Sequence, residues 1–206
     1  NVVAVSGIDG TGENNLLDAV YCTCCTKSYG TCKDNANASF GQEGFRLEAN
    51  LENEGQRKKV VCINKTNSKK ELSLSDVAYE RLADHIGSFP AVMIAPDDIN
   101  IITGNSEGRR KFIDTLLCQT DKIYLKQLMI YNKLIQQRNS LLKSFADTGK
   151  TDQSLLDIID FQLVEPAQTV FLKRTILMEQ MLPLVQEIYH DLASNTEEVG
   201  MQYESS

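Results

Sequence analysis

Apolar residues follow two different patterns in the two halves of this chain of 206 residues. In the first half, short apolar or alternating runs stand between turns rich in glycine, asparagine and proline, which is typical of β-strands. Strands are therefore predicted at 2–6, 45–51, 59–63 and 89–95. The second and third of these strands are expected to form a hairpin.

Two helices are predicted between these strands. The first covers 14–25 and follows a glycine-rich loop directly. Its packed face is expected to consist of Leu16, Leu17, Val20 and Tyr21. The second covers 75–86 and ends at Gly87, because glycine readily adopts the left-handed conformation that closes a helix. Asp97 and Asp98 are expected to open a short helical turn, where carboxylates are favoured by the helix dipole.

Helical spacing dominates after Gly104. One helix is predicted from Asn105 or Ser106 to about residue 119, and a longer one, capped by Thr120 or Asp121, to about residue 146. One apolar stripe follows the longer helix at Tyr124, Leu128, Tyr131, Ile135, Leu142 and Phe145.

The third helical region and the tail complete the second half. The helical region covers 152–193 and is expected to kink or break at Pro166 and Pro183. Residues 198–205 return to an extended pattern. This order of elements predicts an α/β fold with a sheet domain at 1–104, an inserted helical domain at 105–195 and a strand returning to the sheet within 196–206.

Composition excludes some classes of protein. The net charge of −7 argues against a dedicated nucleic-acid-binding module, although a local basic patch is still compatible with it. No apolar run has the length of a membrane span, and the amino terminus does not resemble a signal peptide. The chain begins at Asn1 without an initiator methionine, which suggests a fragment.

Six cysteines are present, and four of them fall within eleven residues. They are Cys22, Cys24, Cys25, Cys32, Cys62 and Cys118. Their spacing matches neither paired C-x2-C zinc ligands nor a redox C-x-x-C motif, and neither histidine lies near them. We therefore expect reduced thiols and no metal site.

The loop before the first helix has the glycine spacing of a phosphate-binding loop. It reads Gly7-Ile8-Asp9-Gly10-Thr11-Gly12-Glu13-Asn14-Asn15. In a P-loop of the form G-x-x-x-x-G-K-[ST], the lysine contacts the β- and γ-phosphates and the hydroxyl holds Mg²⁺. Here Glu13 and Asn14 replace those two residues, so the ionic part of the site is altered. The candidate nucleotide-binding residues are Gly7, Gly10, Thr11, Gly12, Asn14 and Asn15.

Two basic regions are candidates for binding DNA or phosphate. The first is a hairpin and basic loop carrying Arg57, Lys58, Lys59, Lys65, Lys69 and Lys70. The second is the pair Arg109 and Arg110, in the first turn of a helix, where the dipole disfavours cations. Asp97, Asp98, Asp114 or a phosphate could offset that charge, and a structural ion pair is the favoured interpretation. No histidine or serine stands in a catalytic arrangement, and His85 is interpreted as a satisfied histidine at a helix end.

Several motifs, taken in order, resemble those of the RecF family of bacterial DNA replication and repair ATPases. They are the glycine-rich loop with Asn15-Leu16-Leu17-Asp18-Ala19-Val20-Tyr21, Lys27-Ser28-Tyr29, Arg81 to Gly87, Ile94 to Asp98, Arg109-Arg110-Lys111-Phe112-Ile113-Asp114, and Tyr131 with Gln137 to Lys143. The resemblance covers essentially the whole chain and only the amino-terminal part of such a protein. Asp9 and Gly30 also depart from the family's pattern, and the signature and Walker B motifs are absent.

The resemblance implies an ABC/SMC-like P-loop NTPase, here a partial ATP-binding lobe with an inserted helical arm. It implies ATP and Mg²⁺ as ligands, with binding weak or absent because of Glu13 and Asn14, and no hydrolysis. It also implies a cytoplasmic protein of DNA repair, replication, recombination and the SOS response, with gapped or single-strand/duplex junction DNA, recombination-mediator proteins and a second copy as partners. Two alternatives stay open, a non-enzymatic helical interaction module and a decayed gene product.

Overall fold

The computed structural model describes residues 2–8, 12–30, 37–53, 55–66, 68–193 and 197–204. Two compact units are present, Asn1–Asp98 and Ile99–Ser206. The predicted division into three segments stays a prediction. Asp9, Gly10 and Thr11 lie outside the described residues, as do Cys32 and Glu54.

The first unit is built on a four-stranded antiparallel sheet with the order β1-β2-β3-β4. Its strands are β1 (Gly44–Asn53), β2 (Gln56–Lys65), β3 (Glu71–Leu74) and β4 (Val77–Ala78). The predicted hairpin is confirmed as β1 and β2, which pair from Gly44 opposite Lys65 to Asn53 opposite Gln56. The alternation of apolar and polar residues sets this register, because a slip by one residue would exchange the two faces.

One face of the sheet holds the core of this unit. The buried residues are Cys24, Val60, Cys62, Leu72 and Phe89. Cys24 comes from helix α1 (Glu13–Cys25), so the helix packs against the sheet through its last turn. The first helix is thus confirmed, but its packing face differs from the predicted one. Cys22, Thr23 and Cys24 are buried, whereas Leu16, Leu17 and Val20 are each about half exposed.

Three predicted elements of this unit are absent from it, two strands and one helix. Residues 2–6 form no strand, and Val2 and Val3 are exposed. Residues 89–95 also form no strand, although Phe89 is a core residue. Apolar content made both segments look like strands, but a strand also needs a partner for its hydrogen bonds, and neither segment pairs with a described strand.

The predicted helix at 75–86 is wrong for a local reason. Ser75 and Asp76 both have positive φ values, 48° and 67°, and they form a two-residue turn between Leu74 and Val77, which pair as β3 and β4. Two consecutive left-handed residues are the geometry of a tight hairpin turn. A short 3₁₀ helix at Leu82–Asp84 follows, and Gly87 has a φ of 84°.

The second unit is helical. After a 3₁₀ turn at Pro96–Ile99, which confirms the predicted turn, come α2 (Asn100–Thr103), α3 (Ser106–Thr120), α4 (Lys122–Thr148) and α5 (Gln153–Leu192). The last three helices begin at side-chain caps. Asn105 accepts from the Gly108 N–H, Asp121 accepts from the N–H groups of Ile123 and Tyr124, and Asp152 accepts from the Leu155 N–H. Such caps satisfy donors that the helix itself leaves free.

Helix α5 runs through both prolines without breaking. Each proline removes one N–H from the hydrogen-bond ladder, but the bonds on either side hold the helix together, and Pro166 is buried. The described tail residues 197–204 are not a strand. Instead the tail lies against α5, because Gln186 donates to the Val199 carbonyl at 3.1 Å and Arg174 donates to Tyr203 at 3.0 Å. Among the described residues, no helix combines the length and apolar character needed to span a membrane.

Candidate nucleotide and DNA sites

The amino end of α1 is the position where a P-loop would hold phosphate. Gly12 precedes the helix with a φ of 105°, a left-handed conformation that glycine adopts without strain. The first helical hydrogen bond runs from the Leu16 N–H to the Gly12 carbonyl at 3.0 Å. No side chain caps this end in the way that Asn105 caps α3.

The Glu13 carboxylate turns back onto this end of the helix. The Gly12 N–H donates to Glu13 Oε2 at 3.2 Å, so the carboxylate takes a backbone donor that a phosphate oxygen would otherwise accept from. Asn14 and Asn15 are exposed, and Gly7 is exposed on the preceding segment. Gly10 and Thr11, the other two predicted nucleotide-binding residues, lie outside the described part. An acid at this position does not fit a nucleoside triphosphate with Mg²⁺, because it repels the phosphates that the family's lysine attracts.

A hydrogen-bonded network joins the middle of α1 to the Pro96–Ile99 turn. The Tyr29 N–H donates to Asp18 at 2.6 Å, and the Tyr29 O–H donates to Asp98. The second oxygen of Asp98 accepts from the Ala95 N–H at 2.7 Å. Burial and the hydrogen bond to Asp98 raise the pKa of Tyr29 to about 12. Motifs that are far apart in the sequence are thus neighbours here, which sequence spacing alone does not reveal.

His85 lies fully buried beneath α1. Its Nε2 is 2.8 Å from the Thr23 carbonyl, and its ring lies between Tyr79 and Phe89, at centroid distances of 5.2 and 5.9 Å. The prediction of a satisfied histidine holds for Nε2, whereas the buried Nδ1 has no hydrogen bond within the described ranges. His85 follows a 3₁₀ turn and not the end of an α-helix.

The cysteines of the described segments are free thiols. Cys22, Cys24 and Cys62 are buried in the first unit, and Cys118 is buried in the second. Burial raises the pKa of Cys25 to about 11, which keeps that thiol protonated and unreactive at neutral pH. In the described ranges, no group of three or more His, Cys, Asp and Glu side chains could hold a metal ion.

Acidic neighbours neutralise much of the basic hairpin. Lys59 pairs with Glu48 at 2.8 Å, and Arg57 pairs with Glu52 at 3.4 Å. Lys70 is half-buried, donates to the Thr26 carbonyl at 3.0 Å and lies over the Phe45 ring. These three cations therefore have structural partners within the first unit.

The remaining basic candidates are divided between the two units. Lys58 is half-buried on β2, Lys65 is exposed as the last residue of β2, and Lys69 is exposed in the loop that follows. In the second unit, Arg109 donates to the Gly104 carbonyl at 2.9 Å and also contacts the Ile101 and Ile102 carbonyls, so carbonyl groups take the place of the expected carboxylate. Arg110 is exposed. A role of these residues in binding DNA stays a prediction.

The Asp114 carboxylate pairs with a residue that sequence reasoning did not single out. Arg174 donates to both of its oxygens at 2.8 Å, and Tyr124 donates to the same carboxylate. Burial, followed by the hydrogen bond to Asp114, raises the pKa of Tyr124. Asp114 thus serves the helical core, and it is not the partner of Arg109 or Arg110.

No protein-family model matches the chain. Individual proteins do match. The chain is 35% identical over 201 residues to "DNA replication and repair protein RecF" of Cytophaga hutchinsonii, covering 98% of this chain and 53% of that protein. It is 38% identical over 199 residues to the protein of the same name from Flavobacterium johnsoniae, covering 97% of this chain and 55% of that protein.

Solved structures agree with these relatives. The fold is similar to "Structure of the recombination mediator protein RecF-ATP in RecFOR pathway", with a TM-score of 0.85 and 27% identity, covering 91% of this chain and 50% of that one. It is also similar to "Structure of the recombination mediator protein RecF-ATPrS in RecFOR pathway", with a TM-score of 0.84 and 27% identity, covering 91% of this chain and 51% of that one. Over nearly its whole length the chain is therefore related to the RecF family, as its motifs indicate, and it spans about half the length of the curated relatives it matches.

Proposed function

We propose that this chain acts in DNA replication, repair and recombination as a RecF-like DNA-binding protein of the cytoplasm. The observation that carries the proposal is the similarity in fold to RecF structures at a TM-score of 0.85, over 91% of the chain. The same relationship supports an ABC/SMC-like nucleotide lobe with an inserted helical arm. Gapped or junction DNA and recombination-mediator proteins are the proposed partners.

Glu13 and Asn14 are expected to lower the affinity of this chain for a nucleotide. The matching RecF structure is named as an ATP complex, so ATP is the proposed ligand of the inherited loop. Glu13 faces the loop with a carboxylate, and Asn14 offers an amide where the family has a Mg²⁺-holding hydroxyl. We therefore propose weak or absent ATP binding and no hydrolysis by this chain alone, with no catalytic residue assigned.

Titration with a non-hydrolysable ATP analogue tests this proposal. The chain should bind weakly or not at all, and the double variant Glu13→Lys, Asn14→Thr should bind measurably more tightly. Glu71→Lys is the matched control, because it reverses one exposed charge on strand β3. An unchanged affinity in the double variant, or an equal gain in the control, would show that the loop is not a phosphate site.

DNA binding is tested separately with labelled oligonucleotides. A gapped duplex and a blunt duplex of the same sequence should differ, with tighter binding to the gapped one. Equal affinity for both would remove the preference for junctions while leaving general DNA binding in place.

A second candidate function is docking to another copy through α5. This helix exposes apolar side chains on one side, namely Ile158, Phe161, Val164, Leu172 and Ile176. Phe161 is 82% exposed, which is unusual for a residue of this size unless another surface covers it. Light scattering should find a concentration-dependent dimer that Phe161→Glu abolishes. A monomer at every concentration would exclude self-association through this face.

A further inference from the structure

Helix α4 has an unusual charge composition. From Lys122 to Thr148 it contains four lysines and one arginine, and a single acid, Asp147, in its last turn. The whole chain has a net charge of −7, so this concentration of positive charge is local. Helices on acidic proteins usually mix both signs along their exposed faces, which makes the absence of acids before the last turn of α4 informative.

The lysines point away from the core. Lys126 and Lys133 are seven residues apart, which is two turns, so they lie on the same side of α4. Both are exposed, whereas Tyr124 and Leu128 are buried on the opposite side. Ser140 continues the row after another two turns and is also exposed, and the row ends at the exposed Asp147 in the last turn of the helix. In the part of the chain that the structure describes, neither Lys126 nor Lys133 forms an ion pair.

An open groove runs beside this row. Its volume is about 540 Å³, and it is lined by Lys133, Gln136, Gln137, Ser140, Leu141, Leu155 and Ile159. The lining offers an ammonium, two amides and a hydroxyl, and it contains no carboxylate.

The acids on the adjoining end of α5 are engaged elsewhere. Asp160 holds Arg138 at 2.6 Å, and Asp157 accepts from Gln153 at 2.8 Å. Asp152 caps its own helix by accepting from the Leu155 N–H. None of these three carboxylates lines the groove.

We propose that the basic row of α4, Lys126, Lys133 and Ser140 with Gln136 and Gln137, binds the phosphate backbone of DNA. Lysine, serine and glutamine side chains are typical phosphate contacts, because they donate hydrogen bonds without requiring a particular base. From Lys126 to Ser140 the row is about 21 Å long at 1.5 Å per residue. This length matches about six nucleotides of one strand at 3.4 Å each. The assignment rests on the proposed DNA-binding function and gives it a location in the helical unit.

A charge-matched pair of variants tests the site. Lys126→Gln with Lys133→Gln removes two charges from α4, and Lys27→Gln with Lys150→Gln removes two charges outside α4 at positions that are not candidates for binding DNA. All four lysines are exposed, so both variants should fold, and thermal melting followed by circular dichroism verifies this. Binding of a fluorescein-labelled duplex is measured by anisotropy from low to physiological salt.

The α4 variant should bind more weakly, and its slope of log affinity against log salt should be shallower by about 2, because each lost phosphate contact removes about 0.9. The Lys27/Lys150 variant should retain the original slope. If the unchanged chain binds duplex and the α4 variant keeps its affinity, the proposed row is wrong while DNA binding stands. If the unchanged chain does not bind at low salt, DNA binding itself fails, and the row fails with it.

One further measurement separates DNA from an acidic protein as the ligand. Polyglutamate is added as a competitor at equal charge concentration. The duplex should remain bound, because the regularly spaced phosphates of DNA can reach both the lysines and the neutral donors Gln136, Gln137 and Ser140. If polyglutamate displaces the duplex at equal charge concentration, and this competition is lost in the α4 variant, the row binds an acidic protein surface. That result would overturn the assignment to nucleic acid.

Discussion

Arg174 of α5 holds both carboxylate oxygens of Asp114 of α3, each at 2.8 Å. The Arg174 side chain also donates to the Tyr124 hydroxyl of α4 at 3.2 Å, so one guanidinium joins three helices. Arg174 is 8% exposed and Tyr124 is fully buried. Burial acts to lower the pKa of Arg174, but the hydrogen bonds to Asp114 and Tyr203 hold the pKa above its ordinary value, so the charge persists.

Arg174→Met should lower the free energy of unfolding by about 3 kcal/mol, because it leaves the Asp114 charge buried without its partner. The double variant Arg174→Met, Asp114→Asn should regain part of the loss, since asparagine is neutral and can still accept from Tyr124. Urea unfolding followed by circular dichroism measures all three proteins.

The exposed pair Arg81 and Asp84 is the matched control. These residues are 3.0 Å apart with side chains 76% and 42% exposed, and Arg81→Met should change the stability by less than about 1 kcal/mol. A loss in Arg174→Met no larger than in this control would contradict the central role of the buried pair.

Local sequence signals predicted the helical unit well. Asn105 and Asp121 begin α3 and α4 by accepting from N–H groups of the first turn, and Gly149 ends α4 in a left-handed conformation. The hairpin of β1 and β2 was likewise predictable, because alternating residues and a short turn specify it locally. In both cases the residues that determine the element lie within it or next to it.

Non-local contacts are where prediction from the sequence stopped. The partner of Asp114 lies sixty residues away, and the partner of His85 is the carbonyl of Thr23, sixty-two residues away. No periodicity connects such pairs. Leu16 and Leu17 were predicted to pack because of helical spacing, but spacing identifies an apolar face without saying what covers it. The basic row of α4 was missed because its lysines are spread over several turns and form no run.

Tyr29 should make stability depend on pH in the alkaline range. Its pKa is about 12 in the folded protein and 10.0 ordinarily, so its contribution is fully present below pH 10 and is lost as the pH rises to 12. In that window the unfolded chain releases the proton and the folded chain retains it. The free energy of unfolding of Tyr29→Phe, measured in urea, should therefore fall less steeply with pH over this range. At neutral pH it should be about 1 kcal/mol lower than that of the original chain.

Asp98→Asn is the companion variant for this measurement. It keeps an acceptor for the Tyr29 hydroxyl but removes the charge that helps to raise the tyrosine's pKa. Its pH dependence should fall between those of the original chain and Tyr29→Phe. Identical profiles for all three proteins would mean that Tyr29 does not titrate as described.

Arg109 and Arg110 should behave differently although they are adjacent. Arg109 closes the end of α2 by donating to the Gly104 carbonyl, so Arg109→Ala should cost about 1 kcal/mol of stability. Arg110 is exposed, and Arg110→Ala should stay within about 0.5 kcal/mol of the original chain. Thermal unfolding measures both. Equal losses would show that the contact with the α2 carbonyls contributes nothing specific.

Glu13→Gln should raise the affinity for pyrophosphate at the amino end of α1. The Glu13 carboxylate accepts from the Gly12 N–H, so its negative charge lies where a phosphate would bind. Repulsion between two unit charges about 4 Å apart costs about 1 kcal/mol even in a water-like medium. Removing it should strengthen binding roughly fivefold at low salt, to a level below that of Glu13→Lys, and the gain should shrink at high salt because mobile ions screen the charge. Isothermal titration calorimetry at two salt concentrations measures this, with Glu71→Gln as the control for overall charge. A gain that does not depend on salt would point to a change in the helix cap, since relief of repulsion between charges must weaken as the Debye length falls.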